Sequence, residues 1–288
     1  VARQIRPFYE DEEILVARDR SIRFTPWSPE VSRQRRHIVV PDEHLAGARS
    51  VLVFALRYHR EVLRNVARPP AESVGPYVFQ TYITRWLGSV TAARLVRQLN
   101  EFGFRAAISM DLLGSASWTA SPRGPQEDLF SNRFAAVAAG LATILRSGHA
   151  ATPEFGIRQR FVAILTDAQL TPSPIVAPDA VPNLCATCPE HCVHACPTKA
   201  YTDREVTFTC EGRSFSYLKT NPRLCDWSKR YALAGESGFK YLGSEVDIDP
   251  GREVTAAKLN DALPQLDPIK KYRPVIAEPC VIKCPHCE

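Results

Sequence analysis

Cys185-Ala186-Thr187-Cys188-Pro189-Glu190-His191-Cys192-Val193-His194-Ala195-Cys196-Pro197 sets four cysteines at gaps of two, three and three residues and closes them with a proline. Thiolates crowded this densely point to metal, because a deprotonated sulfur is the form that ligates and neighbouring sulfur anions repel unless a cation sits among them. All nine cysteines (185, 188, 192, 196, 210, 225, 280, 284 and 287) follow residue 184, which separates a cysteine-free body from a cysteine-rich remainder. A disulfide-stapled secreted domain is equally dense in cysteine, but such domains are small and lack a large cysteine-free body in front.

Iron-sulfur clusters and zinc are the candidates. The bacterial cluster-binding run spaces its cysteines two, two and three apart, ends in Cys-Pro, and sends its fourth cysteine to a second cluster. Here the middle gap is one residue longer. Histidines such as His191 and His194 are also zinc-site material, yet zinc sites bring two knuckles well apart rather than one dense run closed by proline. The reading is therefore two [4Fe-4S] clusters, which need about eight thiolates when ligation is all cysteine. Cys185, Cys188 and Cys192 supply three for a first cluster, and Cys196 crosses to the second. Cys280-x3-Cys284-x2-Cys287 supplies three more, and Cys225, within Pro222-Arg223-Leu224-Cys225-Asp226-Trp227, is the eighth. Either Cys284 joins Cys196, Cys225 and Cys280 while Cys287 closes the first cluster, or Cys284 and Cys287 exchange places. Cys210 is left over and reads as a buried, inert thiol. The 280 to 287 spacing also matches the cysteine loop of radical S-adenosylmethionine enzymes, where it opens a barrel; here it follows an α/β body.

At 288 residues and 45% hydrophobic content the chain has material for one large domain and a smaller one. No apolar run is long enough to span a bilayer, and Val1-Ala2-Arg3-Gln4 carries no apolar signal segment, so the expectation is a soluble, cytoplasmic protein without a membrane span. The formal charge of +5 falls to about +1 once two clusters of about −2 each are counted. Nucleic acid is therefore a less favoured partner, and Arg33-Gln34-Arg35-Arg36-His37 reads as a solvated face.

Residues 1–48, charged and proline-punctuated, read as an N-terminal arm with little regular structure. Ser50 to Tyr58 is a near-continuous apolar run, the pattern of a central strand buried on both faces. Val78 to Phe102 has helical spacing through Tyr82, Trp86, Ala93, Val96 and Leu99 and stops at Gly103. Phe104 to Met110 is a short strand with Asp111 at its exit, and Gly114 to Gln126 is a loop. Phe130, Phe134, Val137, Leu141 and Ile144 predict a helix capped by Asp128 and ended at Gly148, and Arg160 to Asp167 is another buried strand. The proline-rich 172 to 182 leads into the cysteine-rich part. The expected division is an arm over 1–48, an α/β domain over 49–176 and a two-cluster domain over 177–288.

Three stretches resemble the family of epoxyqueuosine reductases and corrinoid-dependent reductive dehalogenases. Phe134 to Leu141, continuing to Arg146-Ser147-Gly148, is similar to that family's Ala-Gly-Leu-Gly segment, with Ala142 in place of its second glycine. Thr152-Pro153-Glu154-Phe155-Gly156-Ile157-Arg158-Gln159-Arg160 with Leu165-Thr166-Asp167 is similar to the dehalogenase branch, and the cysteine run followed by Cys225 is the third match. The resemblance implies a nitroreductase-like α/β body that holds cobalamin against a C-terminal ferredoxin-like double-cluster domain. It implies a corrinoid contacted by Gly140, Leu141, Gly148, Thr152, Phe155, Gly156 and Arg160, with Tyr82 and Asp111 as proton donors and Arg158 holding an anionic group. The implied activity is reduction of a small organic substrate, with electrons from a reduced ferredoxin or flavodoxin-type donor. A tRNA substrate and an electron-transfer protein without corrinoid are the alternatives.

Overall fold

The computed structural model describes residues 1–9, 13–18, 30–35, 40–64, 75–109, 132–230, 249–262 and 279–287. Its first part carries helix α1 (Ala2–Ile5), strands β1 (Glu13–Arg18) and β2 (Glu30–Arg35), helix α2 (Pro41–His44), strand β3 (Ser50–Arg57), helices α3 (Arg60–Arg64) and α4 (Gly75–Glu101), and strand β4 (Ala106–Ser109). Helix α5 (Asn132–Ala138) and strands β5 (Thr143–Ile144), β6 (Ala150–Ala151) and β7 (Gln159–Thr166) complete the body. Beyond it come helix α6 (His191–His194), strands β8 (Tyr201–Cys210) and β9 (Arg213–Thr220), helix α7 (Pro222–Arg230), and short helices at Ala256–Ala262 and Pro279–Ile282.

The body is built on β7. It lies between β3 and β4 in an antiparallel sheet, pairing Ser50 with Thr166 on one side and Ala106 with the same Thr166 on the other. This corrects the expectation that Ser50 to Tyr58 is the central strand: among the described residues β3 has one strand neighbour and is only half-buried along much of its length, whereas β7 is buried almost throughout. Alternation along β7 assigns its two faces. Val162 and Ile164 meet Ala92, Leu95, Val96 and Leu99 of α4. Ala163 packs on Ala135 of α5 with Val51 and Val53. Gly88 lets α4 settle onto the sheet, since a Cβ there would lie 2.8 Å from a Val162 methyl. The result is a mixed helix-and-strand sandwich, helix against each face of the sheet.

Two further expectations are corrected. The arm over 1–48 contains the six-residue antiparallel pair β1–β2, from Glu13↔Arg35 to Arg18↔Glu30. The helix expected to run from Phe130 to Gly148 stops at Ala138, and β5 and β6 follow. Gly140 takes φ +75 and the carbonyl of Pro174 occupies the place where its Cβ would stand, so the chain must turn there. Asp111, Asp128 and the loop 114–126 lie outside the described residues.

The β8–β9 hairpin ties the cysteine-bearing remainder to the body. Its Glu211-Gly212 turn has positive φ at both residues, the twist that suits a two-residue hairpin. Val206, Phe208, Phe215 and Tyr217 point inward and join Phe134, Ala136, Val137 and Phe161 in one core. Phe134 meets Phe208 edge-on at 5.4 Å, and Phe208 stacks on Phe215 at 5.2 Å between centroids. Phe208 is 1% exposed. Phe208→Ala should therefore lower the unfolding free energy by about 3–5 kcal/mol in denaturant titration, and a loss under about 1 kcal/mol contradicts the shared core.

Candidate functional site

The cysteine run winds through short pieces of helix. Cys185 lies in the 3-10 turn Leu184–Ala186 and Cys192 in α6, with Cys188 between them and Cys196 just after. Glu190 and Lys199 adopt left-handed φ values of 55 and 51, unusual for residues with a side chain, and so bend the run tightly. The guanidinium of Arg146 donates from Nε to Glu190 at 2.7 Å and from Nη1 to Glu205 at 3.1 Å, which fastens the loop to the body. The hydrogen bond it donates to Glu190 raises the Arg146 pKa further above its already high value.

Two groups of sulfurs emerge. Cys284 is buried, and burial first, with the neighbouring sulfurs of Cys185, Cys192 and Cys188, pushes its thiol up to about 11. Cys192 is likewise raised by burial, with Cys185 and Cys188 acting the same way. Cys284, far along the chain, therefore stands among the first three cysteines of the run.

The remaining cysteines lie near Tyr201 and the start of α7. The Cys196 sulfur accepts the Ala200 N–H at 3.3 Å and has Thr198 Oγ1 at 3.7 Å, while Thr198 donates to the Leu224 carbonyl at 2.8 Å. That bond fastens the end of the run to α7, which carries Cys225. Asn221 caps α7, its side-chain oxygen accepting the N–H groups of Arg223 and Leu224 at 3.0 and 3.3 Å. Burial first, and then the sulfurs of Cys280, Cys192 and Cys225, push the Tyr201 phenol far up in pKa, and its hydroxyl donates to the Ser147 carbonyl at 3.5 Å. Cys225 and Cys280 thus lie near Tyr201, and Cys196 lies against Ala200 just before it. The side chain of Cys287 lies outside the description. Cys210, at the end of β8, has its thiol raised by burial and packs on the main core.

A signal for this pairing stands in the sequence. Cys192-Val193-x-x-Cys196-Pro197 recurs as Cys280-Val281-x-x-Cys284-Pro285. Each copy starts within a four-residue helix, α6 and Pro279–Ile282, and the two helices pack together. Among the described residues, no three His, Cys, Asp or Glu side chains close on a single ion.

The body residues implied by resemblance fall in two places. Gly140 and Leu141 lie beside Pro174 and a cavity of about 990 Å³ that Leu141 lines with Ala138, Ala139, Val51 and Val53. Thr152, Phe155, Gly156, Arg158 and Arg160 lie where β3 ends and β7 begins. Thr152 bridges Gly156 through paired backbone hydrogen bonds of 2.8 and 3.0 Å, and its hydroxyl donates to Gln159 at 2.8 Å. Arg57 lies over the Phe155 ring at 5.8 Å, Arg160 donates to the Tyr58 hydroxyl at 3.3 Å, and the Arg158 carbonyl accepts the Tyr58 N–H at 2.6 Å. The buried Nε of Arg158 has no hydrogen-bond partner among the described residues.

This corner abuts the cysteines. The His286 carbonyl accepts the Ile157 N–H at 3.3 Å, and a Cβ on Gly156 would stand 1.9 Å from the same oxygen. His286 itself is buried, which lowers its pKa, and its Nε2 lacks a partner among the described residues. Gly148 is close-packed too, under the Tyr217 ring and the Arg133 guanidinium. Gly140, Gly148 and Gly156 therefore each meet protein at the place where a side chain would begin. Tyr82 lies on α4 with its side chain outside the description.

Comparison with known proteins leads to redox enzymes. A stretch of 79 residues is 40% identical to the tetrachloroethene reductive dehalogenase of Sulfurospirillum multivorans, covering 27% of this chain and 15% of that protein. Solved structures similar to the chain include a catabolic reductive dehalogenase, 14% identical over 77% of this chain and 28% of that one, with a TM-score of 0.47. A reductive dehalogenase structure described for B12-dependent dehalogenation matches equally, at 14% identity and 0.47 over 77% of this chain and 29% of that one. An epoxyqueuosine reductase with a modified tRNA stem loop matches at 21% identity and a TM-score of 0.36, over 56% of this chain and 38% of that one. No family model matches. The chain is thus similar to reductive dehalogenases and epoxyqueuosine reductases, all of them oxidoreductases, and spans well under half of each. No helix among the described residues is long and apolar enough to cross a membrane.

The Gly156 contact is open to test. Gly156→Ala adds a methyl against the His286 carbonyl, in a left-handed conformation that costs about 1–2 kcal/mol for a residue with a Cβ. The melting temperature should fall by about 5 °C or more. An unchanged melting temperature contradicts the close approach.

Proposed function

We propose that the chain is a reductase in which two [4Fe-4S] clusters deliver electrons to a corrinoid that reduces a small organic substrate. The observation that carries the proposal is the interleaving of the cysteines, Cys284 among Cys185, Cys188 and Cys192, with Cys225 and Cys280 facing Tyr201 beside Cys192. A segment that returns to complete a cysteine group far back in the chain suits paired clusters, each completed by a cysteine from the other motif. The first cluster is then held by Cys185, Cys188, Cys192 and Cys284, and the second by Cys196, Cys225, Cys280 and Cys287. On this reading residues 49–176 are a nitroreductase-like body, 177–288 a ferredoxin-like double-cluster domain, and 1–48 an arm.

The cysteines supply the thiolates that clusters need, and the corner between β3 and β7 supplies charged donors for a corrinoid. Arg57, Arg158 and Arg160 gather there beside Phe155, one guanidinium nitrogen lacks a partner among the described residues, and the cysteine segment touches the same turn through His286. Guanidinium donors suit the amide-fringed, phosphate-bearing rim of a corrinoid. Gly140 and Leu141 stand apart from this corner, so Thr152, Phe155, Arg158 and Arg160 are the better contacts. When bound, the corrinoid supplies a low-potential cobalt that carries the bond-breaking chemistry. The protein's part is to keep the clusters dry and close, to hold an anionic substrate group with Arg158, and to give a proton from Tyr82 or Asp111. Replacing a carbon–halogen bond by carbon–hydrogen consumes two electrons and one proton and releases halide, which is what two one-electron clusters and one acid provide.

Anaerobically purified and reconstituted protein should contain about eight iron, about eight sulfide and about one cobalt per chain. Full iron without cobalt under corrinoid excess would overturn the catalyst and leave an electron carrier. Zinc in place of iron would overturn the whole reading.

A further inference from the structure

The cavity of about 990 Å³ beside Leu141 has no part in the reduction proposed above. Val51 and Val53 of β3, Ala135 and Ala138 of α5, and Ile5 of α1 give it apolar walls. Its size is that of a small-molecule site. On α5 the wall is built of alanines, so the helix leaves open a space that longer side chains would close, and Ala138 is exposed to it. The cavity also stands away from the arginine corner. Ser50 lines it at one end of β3, whereas Arg57 lies over Phe155 at the other, about 23 Å along the strand at a rise of about 3.3 Å per residue.

The polar side chains that line the cavity divide into two kinds. Gln4 is engaged with Thr209, donating to its carbonyl at 3.1 Å and accepting its N–H at 2.7 Å. Ser50 Oγ accepts the Leu170 N–H at 2.9 Å, and Asp42 Oδ1 accepts the Gly47 N–H at 2.9 Å. Arg3 and Arg49 are exposed, and neither guanidinium has a hydrogen-bond or ion-pair partner among the described residues. Two side-chain cations against the one carboxylate of Asp42 leave the lining positive beside apolar walls. That combination complements an anion with an apolar body, and a guanidinium's planar fork suits a carboxylate above other anions of one charge. We propose that this cavity is a second binding site, distinct from the corrinoid corner, taken by an organic carboxylate with an aryl or alkyl body. The hydrocarbon lies between β3 and α5, and the carboxylate pairs with Arg3 and Arg49. Because Arg3 and Gln4 share α1 and Gln4 is bonded to β8, a ligand held this way ties α1 to β3 and stabilises the folded chain by mass action.

Calorimetric titration of the reconstituted protein with 1-naphthaleneacetate and with octanoate, each against its uncharged primary amide, separates the aryl from the alkyl body and the charge from both. At least one acid should bind about tenfold or more tightly than its amide and raise the melting temperature. The double variant Arg3→Gln/Arg49→Gln should bind acid and amide alike while melting, without ligand, as the parent does. Ala138→Phe fills the space and should abolish binding of the acid, and it decides the matter if the arginine variant fails to fold. Four results overturn the proposal: no binding of either acid at about 1 mM, equal binding of acid and amide by the parent, binding that survives Ala138→Phe, or displacement of the acid by a corrinoid, which would make this cavity the cofactor's own place. Iron and cobalt counting of the same samples tests the reductase reading separately, so either proposal can fail with the other intact.

Discussion

Sulfur crowding is the constraint on which the rest depends. Burial and neighbouring sulfurs together disfavour the thiolate form of Cys284 and Cys192, so left to themselves these side chains would stay protonated or move apart. A cationic cluster core reverses the sign of that interaction: the crowding that raises each thiol's pKa becomes ligation once protons are exchanged for iron. Residues with left-handed backbone, Glu190 and Lys199, and a loop held by Arg146 are the local costs of bringing the sulfurs together. On the proposed reading, metal ligation offsets them.

The body provides rigidity for that arrangement. Because Phe208 and Tyr217 of the hairpin sit in the same core as Phe134 and Phe161, the cysteine-bearing remainder cannot drift from the sheet without opening apolar contacts. Backbone approaches at Gly156 and His286 then set the arginine corner beside the first cysteine group.

Much of this was legible in the amino acids. The strand at Gln159–Thr166 and the long helix ending near Gly103 follow from apolar runs and stop signals. The identity of the central strand was not, because β3 and β7 carry similar apolar runs and only pairing decides which has neighbours on both sides. The periodicity through Leu141 and Ile144 promised a longer α5, but Pro174, remote in sequence, takes the space at Gly140 and forces the turn. The hairpin after Pro197 carries alternating Val206 and Phe208, a readable pattern overshadowed by the cysteines around it. The placement of Cys284 was written in the repeated Cys-Val-x-x-Cys-Pro, which shows its meaning only once the two short helices are seen to pack together.

The most direct test of the interleaved sulfurs is magnetic. Clusters that exchange ligands across packed helices must lie close, so the fully reduced protein should give two half-integer spins whose EPR spectrum is broadened and split by their mutual interaction. A spectrum of one isolated cluster, or of two that do not sense each other, would contradict the account.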